Sequence, residues 1–143
     1  MPATILDGKA CAADLEQRLI SEISSMNLIP HLAVIIVGDD PASHVYVRNK
    51  IKSCERLGIK STHIELSSEV GQDELQSKII EMNNDDSIHG ILIQSPLPSH
   101  LNEEALTDLI DPRKDVDGFH PSNLGRIVQG RKNGMVPCTP AGV

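Results

Sequence analysis

The only tyrosine of this 143-residue chain, Tyr46, precedes Lys50 by four residues. On a helix this spacing places the phenol and the ammonium group side by side on one face. Such a pair can bind a ligand, polarise it and exchange protons with it. The chain has one other aromatic residue, Phe119, so tyrosine is not used freely here for core packing. The same spacing also occurs by chance on amphipathic helices. Spacing alone therefore leaves two interpretations open, a catalytic pair and two unrelated surface residues.

Two further segments carry polar groups suited to a ligand. Gln94 follows the apolar run 90–93, and its amide can orient a lysine or a ligand carbonyl, or can cap a turn. Asp115 and Asp117 stand one residue apart before Gly118. One of these carboxylates can accept paired hydrogen bonds from an amidine-like N–H edge. A calcium loop requires later acidic residues that are missing in this register, so we expect no metal.

Length, charge and cysteine content limit the function classes. A chain of 143 residues fits one domain that buries roughly 68 to 70% of its unfolded surface. The formal net charge of -7 argues against nucleic-acid binding, and no apolar run reaches the length of a membrane span. The first residues lack the pattern of a signal or transit peptide, and the three widely spaced cysteines indicate reduced thiols. We therefore expect a cytoplasmic protein.

The first part of the chain predicts a helix, a strand and a second helix. Apolar residues recur at three- and four-residue steps across 9–26, and the β-branched apolar run 32–37 predicts a buried strand. Asp40 and Pro41 then match an N-cap and a first helical residue, and this helix should end near Gly58. Within it the Tyr/Lys pair lies beside the apolar row, so we expect both side chains to flank the buried face.

The pattern continues with strands expected at 62–66 and 88–93 and with helices expected at 72–83 and from Asn102. This alternation predicts the α/β class, as a three-layer domain with a mostly parallel sheet flanked by helices. Ligands of such sheets gather beyond the carboxyl ends of the strands. We therefore expect the helix of the Tyr/Lys pair and the segment 94–98 to meet at one edge of the sheet.

Several segments, taken in order, extend these local patterns into a single motif set. They are Leu6-Asp-Gly-Lys9, Val37-Gly-Asp-Asp-Pro-Ala-Ser-His-Val-Tyr46-x-x-x-Lys50-x-Lys52, Gly58-Ile59, Gln94-Ser-Pro-Leu-Pro98, Lys114-Asp-Val-Asp-Gly118 and Pro137-Cys-Thr-Pro140. Together they resemble the methylenetetrahydrofolate dehydrogenase/cyclohydrolase family. The resemblance implies NAD(P)-dependent oxidation of 5,10-methylene- to 5,10-methenyltetrahydrofolate, then hydrolysis to 10-formyltetrahydrofolate. It also implies a tetrahydrofolate substrate, NADP or NAD as cofactor, and a homodimer for the intact protein.

The resemblance further implies a role for each candidate residue. Lys50 would transfer protons in the hydrolysis, and Gln94 would hydrogen-bond to it and tune it. Tyr46 would stack on the aminobenzoate ring and help to place the lysine, while Asp117 would hold the pteridine N–H edge. Three more substrate contacts are implied: Ser95, Leu97 and Pro98.

Two departures from the family pattern matter. The family usually has Gln-Leu-Pro-Leu-Pro where this chain has Ser95, so we expect weaker or altered packing against the folate ring. The family also pairs this half with a domain whose glycine-rich loop holds NADP or NAD. No such loop occurs here, so we expect cofactor binding beyond Val143. We assign residues 1–136 to a folate-binding catalytic domain and 137–143 to the start of the crossover to the missing domain.

Two other hypotheses remain. The chain can be a truncated, non-catalytic folate- or partner-binding domain that retains the catalytic residues without turnover. It can also be a fragment of a short-chain dehydrogenase, a class that uses Tyr-x-x-x-Lys with tyrosine as the acid/base. In that class the nucleotide loop precedes the pair, and residues 1–37 contain no glycine loop of that kind, which argues against it.

Overall fold

The first three elements form as their local signals predict. The computed structural model describes residues 7–142; Leu6 of the first motif and Val143 at the end of the assigned crossover lie outside them. Helix α1 spans Gly8–Ser25, strand β1 spans His31–Val37 and helix α2 spans Pro41–Leu57. The Asp40 carboxylate caps α2 by accepting from the Ser43 N–H at 2.7 Å, as expected for an acidic N-cap.

Helix α2 ends where the chain can adopt a left-handed conformation. Gly58 has φ 76° and ψ 24°, and its N–H donates to carbonyls of the last turn of the helix. A residue with a Cβ is strained in this region, whereas glycine is not. The predicted end of α2 near Gly58 is therefore confirmed, together with the reason for it.

The remaining elements complete an α/β domain. Strand β2 spans Lys60–Leu66, α3 spans Gln72–Asn84, β3 spans Gly90–Ile93 and α4 spans Glu103–Leu109. Two short helices follow, α5 and α6, at Pro121–Val128 and Cys138–Ala141. The three strands form one parallel sheet in the order β2-β1-β3, so the predicted fold class is confirmed.

Apolar side chains of the sheet face two separate cores. The larger core joins alternate residues of the central strand β1, such as Ala33 and Ile35, to Leu75 and Ile79 of α3 and to Leu106 of α4. The smaller core on the other face joins the intervening residues of β1 to α2, through Val34, Ile36 and Val47. Burial on both faces explains why β1 is a continuous apolar run without polar alternation. The sheet is thus the middle of three layers.

The structure differs from the sequence-based expectations at the starts of two strands and in two short helices. Strand β2 begins at Lys60 and not at residue 62. Strand β3 begins at Gly90 and not at residue 88, because the Ile88 N–H donates to Asp85 in a turn and only residues 90–93 pair with β1. Helix α5 was not expected, since its apolar residues are few and largely exposed. The short helix α6 lies inside the segment assigned to the crossover, and the boundary at residue 136 stays a prediction.

Helix α1 is held differently from the other long helices. It contains no buried residue, and its polar link to α2 is the bond from the Arg56 guanidinium to Glu16, with Nη2 to Oε1 at 2.6 Å. Among residues 7–142, no helix has both the length and the apolar character needed to cross a membrane.

Candidate active site

The carboxyl edge of the sheet places Gln94 at a fixed position. Strands β1 and β3 are parallel neighbours, so both end at this edge. The Gln94 backbone N–H donates to the Ile35 carbonyl at 2.8 Å, which holds the residue against β1 just after β3 has ended. Its side chain therefore leaves the sheet from a rigid element, on the side covered by α2.

Lys50 of α2 meets this glutamine. The Lys50 ammonium donates to Gln94 Oε1 at 3.2 Å, and the Gln94 Nε2 group donates to the Ser95 carbonyl at 2.7 Å. An ammonium group has only donors and an amide has one of each kind of atom. The bond to Ser95 therefore turns the amide oxygen of Gln94 towards Lys50. The expected meeting of the two segments at one edge is thus present in the structure.

Tyr46 is not placed as predicted, because its side chain is on the solvent side. The residue is 64% exposed, while Val47 in the covered row of α2 is 5% exposed. One residue is about 100° around a helix, so Tyr46 lies roughly a quarter turn from the centre of that row. Lys50 lies nearer to it and is half-buried. The prediction that both side chains flank the buried face is right for Lys50 and wrong for Tyr46.

Asp117 lies close enough to Lys50 for the charge of the ammonium group to affect the pKa of the Asp117 carboxyl. Burial raises the pKa of the Asp117 carboxyl above the usual 3.8; the Lys50 ammonium works against this rise, and the neighbouring Asp115 carboxylate adds to it. Asp117 is half-buried. The structure thus brings a lysine, a glutamine amide and a desolvated carboxyl to one region at the edge of the sheet.

Asp115, the other carboxylate of the motif, is a structural anchor. It is 2% exposed and accepts three hydrogen bonds, from the N–H groups of Gly118 and His120 and from the Asn123 side chain, at 3.0, 2.9 and 2.8 Å. Buried charges need such partners to offset the loss of water. Asp115 therefore ties the segment that carries Asp117 to the start of α5.

Lys114 holds the same segment from the other side. Its ammonium donates to the carbonyls of Met82, Asn83 and Asp85, at 3.0, 2.9 and 2.8 Å. These carbonyls lie at the end of α3, where a helix leaves acceptors unpaired and favours positive charge. Sequence reasoning did not assign Lys114 a role, and its distance of about thirty residues from these carbonyls leaves no local signal for one.

The three remaining predicted contacts have different surroundings. The Ser95 hydroxyl donates to the Glu103 carboxylate in the first turn of α4, and both residues line a small cavity together with Asp117. Leu97 packs against the larger core. Pro98 is half-buried and its carbonyl accepts from Leu101 at 3.0 Å. The Ser95–Pro96 peptide bond is cis.

Two further residues near this site, Glu103 and Asn123, have no predicted role. The eight-residue separation of Glu103 from Ser95 carries no helical or strand periodicity. Asn123 is fully buried and donates to Pro112 and Asp115. A polar residue inside an unrecognised helix gave no signal that it would be buried.

Two histidines, His44 and His120, lie near these segments in the sequence, and their positions alone favour a solvated surface role for each. His120 is half-buried, and its Nδ1 accepts from the Ser122 N–H as the N-cap of α5, so a purely solvated role is wrong for it. His44 lies with Nε2 3.3 Å from the Gly38 carbonyl.

The described residues do not fit a nicotinamide dinucleotide. A dinucleotide site needs a glycine-rich turn that opens onto a free helix N-terminus. At the end of β1 the turn instead carries Asp39 and Asp40, and Asp40 already occupies the N-terminus of α2. Two carboxylates at that point would repel a pyrophosphate. Within residues 7–142 no group of three or more His, Cys, Asp or Glu side chains is arranged to hold a metal ion.

Comparison with known proteins agrees with the motif set. The family model for the catalytic domain of tetrahydrofolate dehydrogenase/cyclohydrolase matches residues 6–117. The bifunctional protein FolD of Ehrlichia canis is 49% identical over 147 aligned positions, which cover 99% of this chain and 49% of that protein.

Solved structures show the same fold. The bifunctional enzyme FolD from Campylobacter jejuni superposes with a TM-score of 0.93 at 46% identity, covering 97% of this chain and 50% of that one. The Trypanosoma brucei methylenetetrahydrofolate dehydrogenase-cyclohydrolase, solved with NADP cofactor and an inhibitor, gives a TM-score of 0.90 at 33% identity over 99% of this chain and 50% of that one. The chain thus spans about half the length of the relatives that it matches. It belongs to the tetrahydrofolate dehydrogenase/cyclohydrolase family.

Proposed function

We propose that this chain is the folate-binding half of a bifunctional enzyme that oxidises 5,10-methylenetetrahydrofolate with NADP or NAD and hydrolyses the methenyl product to 10-formyltetrahydrofolate. The observation that carries the proposal is the contact from Lys50 to Gln94 at 3.2 Å, with Asp117 in the same region. Membership of the family supports it, as do the bifunctional relatives.

The hydrolysis is the part of the reaction that these residues can assist directly. Water adds to the methenyl carbon that bridges N5 and N10 and loses one proton to become a hydroxyl group. The bond from that carbon to N5 then breaks as the hydroxyl loses its proton, which leaves a formyl group on N10, and N5 gains a proton. Lys50 is the group that we assign to carry this proton. The Gln94 oxygen holds the ammonium in place, since that oxygen accepts from it.

The other candidate residues bind the substrate in this proposal. Asp117 accepts hydrogen bonds from the pteridine N–H edge, as a carboxylate does from a forked donor. The exposed ring of Tyr46 is available to stack on the aminobenzoate group. Ser95, Leu97 and Pro98 contact the folate ring. A nicotinamide cofactor would supply the hydride acceptor, and the described residues do not fit it.

The first prediction concerns Lys50. A Lys50→Met substitution should lower the rate of methenyltetrahydrofolate hydrolysis by a factor of about 10² to 10⁴, the usual contribution of a positioned acid or base. Folate binding should remain, because methionine keeps most of the apolar stem. Lys52→Met is the matched control, because Lys52 is exposed on the same helix. Hydrolysis is followed by loss of the methenyl chromophore, and full activity of Lys50→Met would contradict the assignment.

A non-catalytic folate- or partner-binding domain is the second candidate. The observation that favours it is that the described residues do not fit a nicotinamide dinucleotide. Titration with a folate analogue, together with a hydrolysis assay on the same sample, separates the two candidates. Binding without hydrolysis supports the second candidate, and hydrolysis abolished by Lys50→Met supports the first.

Oligomeric state and compartment belong to the same proposal. We propose a homodimer for the intact protein, to be measured by light scattering on the full-length product of the gene. We also propose a cytoplasmic location. The free thiols of Cys11, Cys54 and Cys138 suit a reducing compartment, and fractionation of the source cells tests the location.

A further inference from the structure

A run of hydrogen bonds connects the Lys50 ammonium to a carboxylate on another element. Lys50 donates to Gln94 Oε1 at 3.2 Å, and Gln94 Nε2 donates to the Ser95 carbonyl at 2.7 Å. The Ser95 hydroxyl in turn donates to Glu103 Oε1. Glu103 lies in the first turn of α4, so the run crosses from α2 through the end of β3 to α4.

The orientation of Gln94 depends on the Ser95 peptide. The amide must present its oxygen to Lys50, because an NH₂ group facing an ammonium would place two donors together. The Ser95 carbonyl selects this orientation by accepting from Nε2. If that carbonyl turned away, nothing in the run would hold the amide with its oxygen towards the lysine.

Ser95 is exposed, so a separate hydrogen bond is needed to fix the orientation of its peptide group. The bond from its hydroxyl to the Glu103 carboxylate supplies one, and bonds to a charged acceptor are stronger than neutral ones. The Glu103 side chain lies in the first turn of α4, where a negative charge is favourably placed. A leucine, the residue usual in the family at this position, cannot make this bond.

We propose that Ser95 and Glu103 form a positioning pair for Lys50, acting through the amide of Gln94. This inference rests on the proposed hydrolysis and adds a residue, Glu103, to the site. The run does not conduct protons, because the Ser95 hydroxyl and the Ser95 carbonyl are joined only through the backbone. Its effect is on the geometry of the lysine, and misplacement of a reacting group by about 1 Å can cost a factor of 10² in rate.

The test uses Ser95→Ala, Glu103→Gln and the double variant in the full-length protein. Glu104→Gln is the matched control, because Glu104 is an exposed carboxylate in the same helical turn. Three quantities are measured: the turnover number for methenyltetrahydrofolate hydrolysis, the dissociation constant of a folate analogue, and the exchange rate of the Gln94 side-chain amide protons by NMR.

A positioning pair separates turnover from binding. Each single variant should lower the turnover number about three- to tenfold. In Glu103→Gln, which changes no proposed folate contact, the folate dissociation constant should change less than about twofold. The double variant should be no worse than the poorer single one, since residues that act as a unit are not additive. The Gln94 amide protons should exchange at least about threefold faster in each variant, and Glu104→Gln should match the wild type.

Two results would overturn the inference. One is that the wild-type protein hydrolyses the substrate and the Ser95 and Glu103 variants have the same turnover number as the wild type. The other is unchanged exchange of the Gln94 amide in those variants. If the wild-type protein neither binds folate nor hydrolyses the substrate, the proposed function fails, and the exchange rates alone still decide whether the pair positions Gln94.

Discussion

Two carboxylates one residue apart have opposite surroundings in this protein. Asp115 is buried and accepts three hydrogen bonds from the protein itself. Asp117 is only partly covered, and burial raises its pKa. The sequence motif alone does not distinguish them. The structure assigns the anchoring role to the first, and we propose the substrate contact for the second.

We expect the proposed folate binding to depend on the titration of Asp117, whose pKa is raised by burial. The ionised carboxylate is the form that accepts from two N–H groups, so affinity should be constant above the pKa of Asp117 and should fall as pH drops through it. Because that pKa is raised above 3.8, the fall should begin at a higher pH than for an exposed aspartate. The measurement is the dissociation constant of a folate analogue across the acidic range.

Asp117→Asn is the control for this dependence. The variant should bind the folate analogue more weakly at neutral pH, because asparagine offers a single acceptor oxygen. The fall in affinity at acidic pH should disappear, because asparagine does not titrate. An unchanged pH profile in Asp117→Asn would mean that another group, or the ligand itself, is responsible.

Ser95→Leu should change binding and turnover in opposite directions. Leucine adds apolar surface where we propose the folate ring, and each buried methylene contributes about 0.8 kcal/mol, so affinity should rise severalfold. The same substitution removes the bond to Glu103, so turnover should fall as it does in Ser95→Ala. An unchanged folate affinity would refute the proposed contact.

At the scale of elements, Gly90 of β3 lies close to the segment that carries Asp117. A Cβ at Gly90 would lie 2.5 Å from Val116 Cγ1 and 3.4 Å from Leu32 Cδ1. We expect Gly90→Ala to lower the free energy of unfolding by about 1–3 kcal/mol, the usual cost of overpacking. It should also weaken folate binding, because Val116 adjoins Asp117.

Gly125→Ala provides the comparison, since a Cβ there meets nothing within 4 Å. Gly125 lies inside α5, where alanine is favoured over glycine by about 0.5–1 kcal/mol. Denaturant titrations of both variants give the two values. Equal stability of the Gly90 and Gly125 variants would show that Val116 moves aside at little cost.

Local signals account for most of the fold. Asp40 and Pro41 start α2 and Gly58 ends it, because capping and backbone conformation depend on neighbours in sequence. The meeting of the segments that carry Lys50 and Gln94 could also be predicted, because parallel strands bring their carboxyl ends to one edge of the sheet.

Other contacts between distant elements could not be predicted from the sequence. The exposure of Tyr46 depends on which neighbours cover α2, and helical spacing alone does not predict which residues those neighbours cover. The bond from Ser95 to Glu103 depends on how α4 packs beside the end of β3. Both features depend on how distant segments are placed relative to one another. That placement is set by the whole fold and leaves no periodic pattern in the sequence.

At the scale of the whole molecule, we expect the protection of backbone amides from hydrogen exchange to differ between elements. Leu75 and Ile79 of α3 are fully buried, whereas α1 contains no buried residue. Segments with few buried apolar contacts open at low free energy. Backbone amides of α1 should therefore exchange with solvent at least about tenfold faster than those of α3 and β1 in hydrogen-exchange experiments on this chain. Comparable protection in α1 and α3 would show that contacts other than apolar burial hold α1.

The exposed position of Tyr46 has an optical consequence. The chain contains one tyrosine and no tryptophan, so its ultraviolet emission comes almost entirely from a single ring, 64% exposed. That ring is on the same helix as Lys50, one turn away. An unlabelled sample therefore carries its own fluorophore beside the region where we propose that folate binds, and quenching of this emission would report occupancy without any engineered probe.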